Sequence, residues 1–72
     1  MTHKAKEQQG AVKPKVGALV KLRAGMEDPD IPDDRIGLVI KIFEHQDAYR
    51  LLLSNGKELQ FSSYWLTTLH NV

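Results

Sequence analysis

The densest group of side chains able to do chemistry is a run of carboxylates, Glu27, Asp28, Asp30, Asp33 and Asp34, within the segment 24–34. Clustered carboxylates can hold calcium, which takes about six to eight oxygen ligands. This run lacks the regular spacing, the central glycine and the closing glutamate of an EF-hand loop, so a solvated, negatively charged loop is the simpler reading. Pro29-Asp30-Ile31-Pro32 satisfies a P-x-x-P pattern, but so short a match specifies no ligand. His3, His45 and His70 fall in three separate segments and read as exposed side chains. There is no G-x-x-x-x-G-K phosphate loop, no H-x-x-x-H or H-E-x-x-H element, and no nucleophile–base pair at a recognisable spacing. The chain has no cysteine, which excludes disulfides and thiolate zinc sites. No enzyme, cofactor or resident metal is therefore expected.

The aromatic residues make a better surface. Tyr64 and Trp65 are adjacent, at a point where the strand pattern breaks, so at most one of them can turn fully inward. Tyr49 begins a strand whose partner ends near Phe61, close to the same turn. Large aromatics with a polar tip are enriched at interfaces. The expected surface combines Tyr49, Tyr64 and Trp65 with the flanking acids Glu27, Asp28, Asp30, Asp33 and Asp34, and favours a basic or proline-rich partner. The competing reading has Trp65 plugging the fold as a core residue. A second candidate surface is basic: Lys4, Lys6, Lys13 and Lys15 near the N-terminus, with Lys21, Arg23, Lys41 and Arg50 on a strand face.

These residues must be positioned by a small all-β domain. Val16, Ala18, Val20 and Leu22 alternate with Gly17, Leu19, Lys21 and Arg23, the period of a half-buried strand. Pro29 and Pro32 keep residues 24–34 out of regular structure. Residues 35–44 form the longest strand candidate, with Ile36, Leu38, Ile40 and Ile42 as the expected core face and Gly37, Val39, Lys41 and Phe43 opposite. A short polar turn, residues 45–48, leads into a hairpin. Its strands carry Tyr49, Leu51 and Leu53 against Leu59 and Phe61, and Asn55-Gly56 predicts a type I′ turn between them. Ser62-Ser63 then breaks the alternation; a single 3-10 turn is expected there, followed by a short closing strand over 67–72.

At 72 residues the chain makes one domain. It buries only about 60% of its unfolded surface, so its apolar core must be fully used or supplemented by a partner. The formal net charge of +1 hides an asymmetry. Residues 1–15 carry four lysines against Glu7 alone, whereas the remainder carries six basic side chains against eight acidic ones. Residues 1–14 read as a disordered basic tail too polar to repay ordering, and residues 15–72 as the folded domain. A slightly acidic body argues against nucleic acid as its main partner. No apolar run approaches the ~20 residues of a membrane span, and residues 1–15 lack a signal-peptide core. A cytoplasmic location is expected.

The order strand, long loop, long strand, short turn, strand, tight hairpin, strand, 3-10 turn, short strand is that of a five-stranded SH3-like barrel. Lys15-Val16-Gly17-Ala18-Leu19-Val20, Ile36-Gly37-Leu38-Val39, Tyr49-Arg50-Leu51, Ser54-Asn55-Gly56 and Leu66 carry the likeness. Over residues 15–69 the chain resembles small SH3-like proteins encoded by tailed bacteriophages, notably those of marine bacteria and cyanobacteria. That resemblance implies an SH3-like barrel and, for a phage-encoded protein, the host cytoplasm; it supplies little chemistry. The A-L-Y-D-Y stretch of eukaryotic signalling SH3 domains is missing, so their peptide-groove residues cannot be carried over. The basic, glycine-rich loop of KOW-type barrels is replaced by an acidic one. The expected function is a non-enzymatic protein-interaction module that binds a host or phage protein. The alternatives are a nucleic-acid-binding barrel and a structural subunit, as a monomer or small homo-oligomer.

Overall fold

The structure is a computed structural model that describes residues 13–72. Five antiparallel strands follow one another: β1 (Leu19–Leu22), β2 (Ile36–Phe43), β3 (Ala48–Leu53), β4 (Glu58–Ser62) and β5 (Leu66–His70). Two 3-10 turns, Glu44–Gln46 and Ser63–Trp65, join β2 to β3 and β4 to β5. No α-helix occurs among the described residues. The strands form one sheet in the order β4-β3-β2-β1-β5.

The expected closed barrel is not seen. β4 and β5 are the two edges of the sheet and do not pair. The sheet is nevertheless rolled, because only Ser63–Trp65 separates the end of β4 from the start of β5. Four Cα steps span at most about 14 Å, so the two edges must approach each other at that end. The concave face then closes on itself. Ala18, Val20, Leu22, Val39, Tyr49, Leu51, Leu53 and Phe61 form one buried cluster there, with Met26, Ile31, Ile42, Leu59, Trp65 and Leu66 packed around it.

β2 reverses the expected facing. Gly37 and Val39 are buried, while Ile36, Leu38 and Ile40 are only half-buried. In register, Val39 lies between Leu51 and Ala18's neighbourhood on the concave side, whereas Leu38 aligns with Leu19 of β1 and Leu52 of β3 on the convex side. A bulge between Val39 and Lys41 then sets Ile40 and Lys41 together opposite Arg50. An extra residue shifts the alternation by one, so Ile42 turns inward beside Tyr49, its register partner. The assignment of Ile36, Leu38 and Ile40 to the core is thus corrected; that of Ile42 stands. Gly37 is inside because there is no room for more. A Cβ at that position would lie 3.1 Å from Leu53 Cδ2 and 3.2 Å from Leu51 Cβ.

The β3–β4 hairpin also differs in its turn. Gly56 has φ +88°, but Asn55 is not among the residues with positive φ, which a type I′ turn requires. The Gly56 N–H donates to Leu53 O at 2.9 Å, and the Leu53 N–H donates to Lys57 O at 2.8 Å. The loop is therefore three residues, Ser54-Asn55-Gly56, closed by a turn with the glycine as its left-handed bulge residue. Asn55 Oδ1 accepts from the Lys57 N–H instead.

Order begins earlier than residue 15. Pro14 is buried. Asn71 holds the chain on both sides of it, its Nδ2 donating to Lys13 O at 3.1 Å and its Oδ1 accepting from the Lys15 N–H at 2.9 Å. Side-chain bonds replace a ladder that a proline, lacking an N–H, cannot complete. Lys13 and Pro14 thus belong to the folded body rather than to a tail. The rest of the expected tail, residues 1–12, lies outside the described residues.

Candidate functional site

The 3-10 turn Ser63–Trp65 is fastened from two sides. Ser62 caps it, its Oγ accepting from the Tyr64 N–H at 3.3 Å. On one flank Asp47 takes both donors of Ser63: the N–H reaches Asp47 O at 2.9 Å and the Oγ reaches Asp47 Oδ2 at 2.6 Å. Asp47 itself sits in the left-handed region (φ 52°), ending the first 3-10 turn, a conformation that aspartate tolerates better than most residues. On the other flank Arg23 donates to the backbone carbonyls of both aromatic residues. Its N–H donates to Trp65 O at 2.8 Å and its Nε to Tyr64 O at 2.6 Å.

The two rings also contact each other, and that of Tyr64 contacts Arg23. Tyr64 and Trp65 stack edge to face with centroids 5.0 Å apart, and the Arg23 guanidinium lies 5.5 Å from the Tyr64 ring centre. Trp65 packs inward against the core cluster, with Gly25 of the first loop close to its outer edge. Tyr64 faces solvent and is 67% exposed. Beside it opens a cleft walled by Arg23, Asp47, Tyr64 and Thr68, with Pro14 and Tyr49 in its lining. Tyr49 is only 2% exposed. It belongs to the core and contributes the floor of the cleft, not an exposed contact. Its hydroxyl pKa is raised, first by burial and then by the carboxylates of Asp47 and Glu44.

The acidic loop does not flank this cleft; none of its five carboxylates lines it. The loop instead folds onto the tip of the hairpin. Asp30 Oδ1 accepts from Lys57 Nζ at 2.7 Å, and Asp30 O accepts from Asn55 Nδ2 at 2.9 Å. Asp34 Oδ1 accepts from Ser54 Oγ at 2.9 Å and from the Ile36 N–H at 3.0 Å. Asp28 Oδ1 accepts from the Asp30 N–H within the loop. Arg35 pins the inner side of the loop, donating to the carbonyls of Arg23 and Met26, and does so from a left-handed backbone (φ 57°) that is uncommon for arginine. Glu27, Asp28 and Asp33 line a separate shallow groove with Pro29, Ile31 and Pro32. Among the described residues, no three histidine or acidic side chains converge as metal ligands.

The basic residues are likewise divided. Lys21, Lys41 and Arg50 share the convex face of the sheet, as their register partners Ile36, Arg50 and Gln60 require. Arg23 does not join them, being committed to the aromatic turn. Arg50 is paired with Glu58 at 3.1 Å, and Lys41 lies 5.1 Å from the centre of the Phe43 ring. Lys13 and Lys15 are exposed on the approach to β1, and Lys4 and Lys6 lie outside the described residues. Sequence reasoning missed Arg23, Asp47 and Ser63 as the fasteners of the aromatic turn. Their partners are distant in the chain, 41 residues for Arg23–Tyr64 and 16 for Ser63–Asp47, and no spacing rule reaches that far. No helix among the described residues is long and apolar enough to cross a membrane. No protein-family model matches the chain, and neither a curated protein nor a solved structure matches it.

Proposed function

We propose that this protein is a non-enzymatic interaction module of SH3-like type that docks an extended segment of a protein partner in the cleft beside Tyr64. The observation that supports this most is an exposed aromatic side chain whose backbone is pinned from both sides by Arg23, Asp47 and Ser62. A large ring already held in place loses little freedom on binding, so more of its contact energy appears as affinity. The seating of Pro14 in the lining of the same cleft supports a proline-bearing partner segment. A preference for basic partners loses its basis, because Asp30 and Asp34 bond the hairpin, the other loop acids line a separate groove, and the cleft itself carries Arg23 and Lys13 with Asp47 as its one acid. The likeness to phage SH3-like proteins makes a host or phage protein the natural source of that segment.

The test is a cross-linked pull-down from host lysate with the full chain, with Tyr64→Ala, and with a chain that begins at Lys13. Tyr64→Ala should keep the fold, since the ring is mostly exposed, and should lose a specific protein captured by the unaltered chain. Trp65→Ala, by contrast, should lower stability by roughly 2–4 kcal/mol, because its ring packs on the core. Capture of the same partner by Tyr64→Ala at undiminished yield would refute the cleft as the docking site. Recovery of nucleic acid that requires residues 1–12 would replace this reading with the nucleic-acid one.

A further inference from the structure

A sheet with only one buried face ordinarily shows polar residues on the other. Here the convex face is apolar at its centre. Leu19, Leu38 and Leu52 stand side by side across β1, β2 and β3, ending at His70 on β5 and Glu58 on β4. Ile36 lies in the next register row on one side and Ile40 in the next on the other. Leu19 is 41% exposed and Leu69, beside His70, is 51% exposed. Contiguous apolar surface of this kind marks an interaction site more often than chance.

Cations border the row on both sides. Lys21 stands opposite Ile36, and Lys41 and Arg50 pair beyond Ile40. Glu58 is the acid of this face, and Arg50 already neutralises it. The surface is therefore an apolar strip between positive margins. Its own N-terminal residues are a poor cover, because Lys4 and Lys6 outnumber Glu7. A second copy packed face to face would set Lys21 and Lys41 against lysines of the same kind, and like charges in apposition destabilise.

We propose that the convex face docks an amphipathic, acid-flanked helix of a partner protein, with the helix's apolar stripe on Leu19, Leu38 and Leu52 and its carboxylates over Lys21 and Lys41. The dimensions agree. From Ile36 to Lys41 along β2 is at most about 16 Å at ~3.3 Å per residue, wide enough for a helix of roughly 10–12 Å diameter. The row crosses five strands, four gaps of ~4.8 Å or about 19 Å, which some thirteen helical residues would span at ~1.5 Å each. Leu19, Leu38, Leu52, Lys21 and Lys41 do not line the Tyr64 cleft, so the two sites fail or succeed separately.

The probe is a fluorescein-labelled synthetic helix with leucines at i, i+3, i+4 and i+7 and glutamates beside them, compared with the same helix carrying lysines. Fluorescence anisotropy on the full chain should show binding of the glutamate helix and not of the lysine helix. Leu19→Ser and the double variant Lys21→Glu/Lys41→Glu alter exposed side chains, and each should weaken binding by about tenfold or more, while Tyr64→Ala should leave it unchanged. Absence of binding, or equal binding of both helices, would overturn the proposal. So would sedimentation showing a dimer that Leu19→Ser converts to a monomer, since the occupant would then be a second copy. Binding of a single-stranded oligonucleotide that needs Lys21 and Lys41 but ignores Leu19→Ser would make the face a phosphate surface instead.

Discussion

Leu51 and Leu52 are neighbours in β3, yet Leu51 is 0% exposed and Leu52 sits half-buried on the opposite face. The same contrast runs through β2, where Val39 is sealed and Leu38 is not. At these positions residue type does not distinguish the two faces. What does is the curl of the sheet together with the segments folded over its concave side: Met26 and Ile31 from the first loop, and Trp65 from the aromatic turn. Among the described residues nothing comparable covers the convex side. In a chain this small, apolar content alone does not decide what becomes core; the connections do.

The sharpest way to break that contrast is to truncate the two leucines in turn. Leu51→Ala opens a cavity in the concave cluster and should cost about 2–5 kcal/mol in urea unfolding, enough to unfold much of a marginal domain. Leu52→Ala, half in water already, should cost less than about 1 kcal/mol. Equal losses would mean that the convex face is sealed as firmly as the core. A smaller effect tests the tightness of the concave side from the other direction. Gly37→Ala places a methyl 3.1–3.2 Å from Leu53 and Leu51 and should lower stability by about 1–3 kcal/mol through overpacking. A neutral Gly37→Ala would show that these side chains can give way.

The same contrast explains what could be read from the sequence. Where one face is polar the alternation has a definite phase, and Ala18, Val20 and Leu22, Tyr49, Leu51 and Leu53, and Phe61 are all found inside. In β2 both faces are apolar up to Ile40, so the period is legible but its phase is not. The larger face looked like the core; the sheet instead closes over Gly37 and Val39, and the bulge at Ile40 adds a change of phase that no pattern announces. Asn55-Gly56 marked the hairpin correctly but not its turn, because the same two residues serve a three-residue loop in which only glycine needs positive φ. Proline and acid content located the first loop, while its direction is set by Arg35 and by the Asp30–Lys57 pair. At the candidate site the aromatic turn was legible and its fasteners were not. Adjacent aromatics at a break in alternation are a local signal, whereas Arg23 and Asp47 act across the fold.

The smallest expected effect probes where the sealed face ends. Tyr49 is both core and cleft floor, and its hydroxyl pKa lies above the ordinary 10.0 because of burial, then Asp47 and Glu44. A hydroxyl harder to ionise when folded contributes stability that is whole below about pH 10 and is lost as pH rises through the raised folded value. Lys57 acts in the same direction: its hydrogen bond and charge interaction with Asp30 raise its pKa above 10.5, so that stability too is present at lower pH and lost in alkali. Unfolding followed from pH 8 upward should therefore show a decline that Tyr49→Phe reduces and Tyr49→Phe/Lys57→Met reduces further. If Tyr49→Phe leaves the decline unchanged, the hydroxyl reaches water through the cleft beside Tyr64. The concave face would then be open at that end, and the two faces of the sheet would differ less than their leucines suggest.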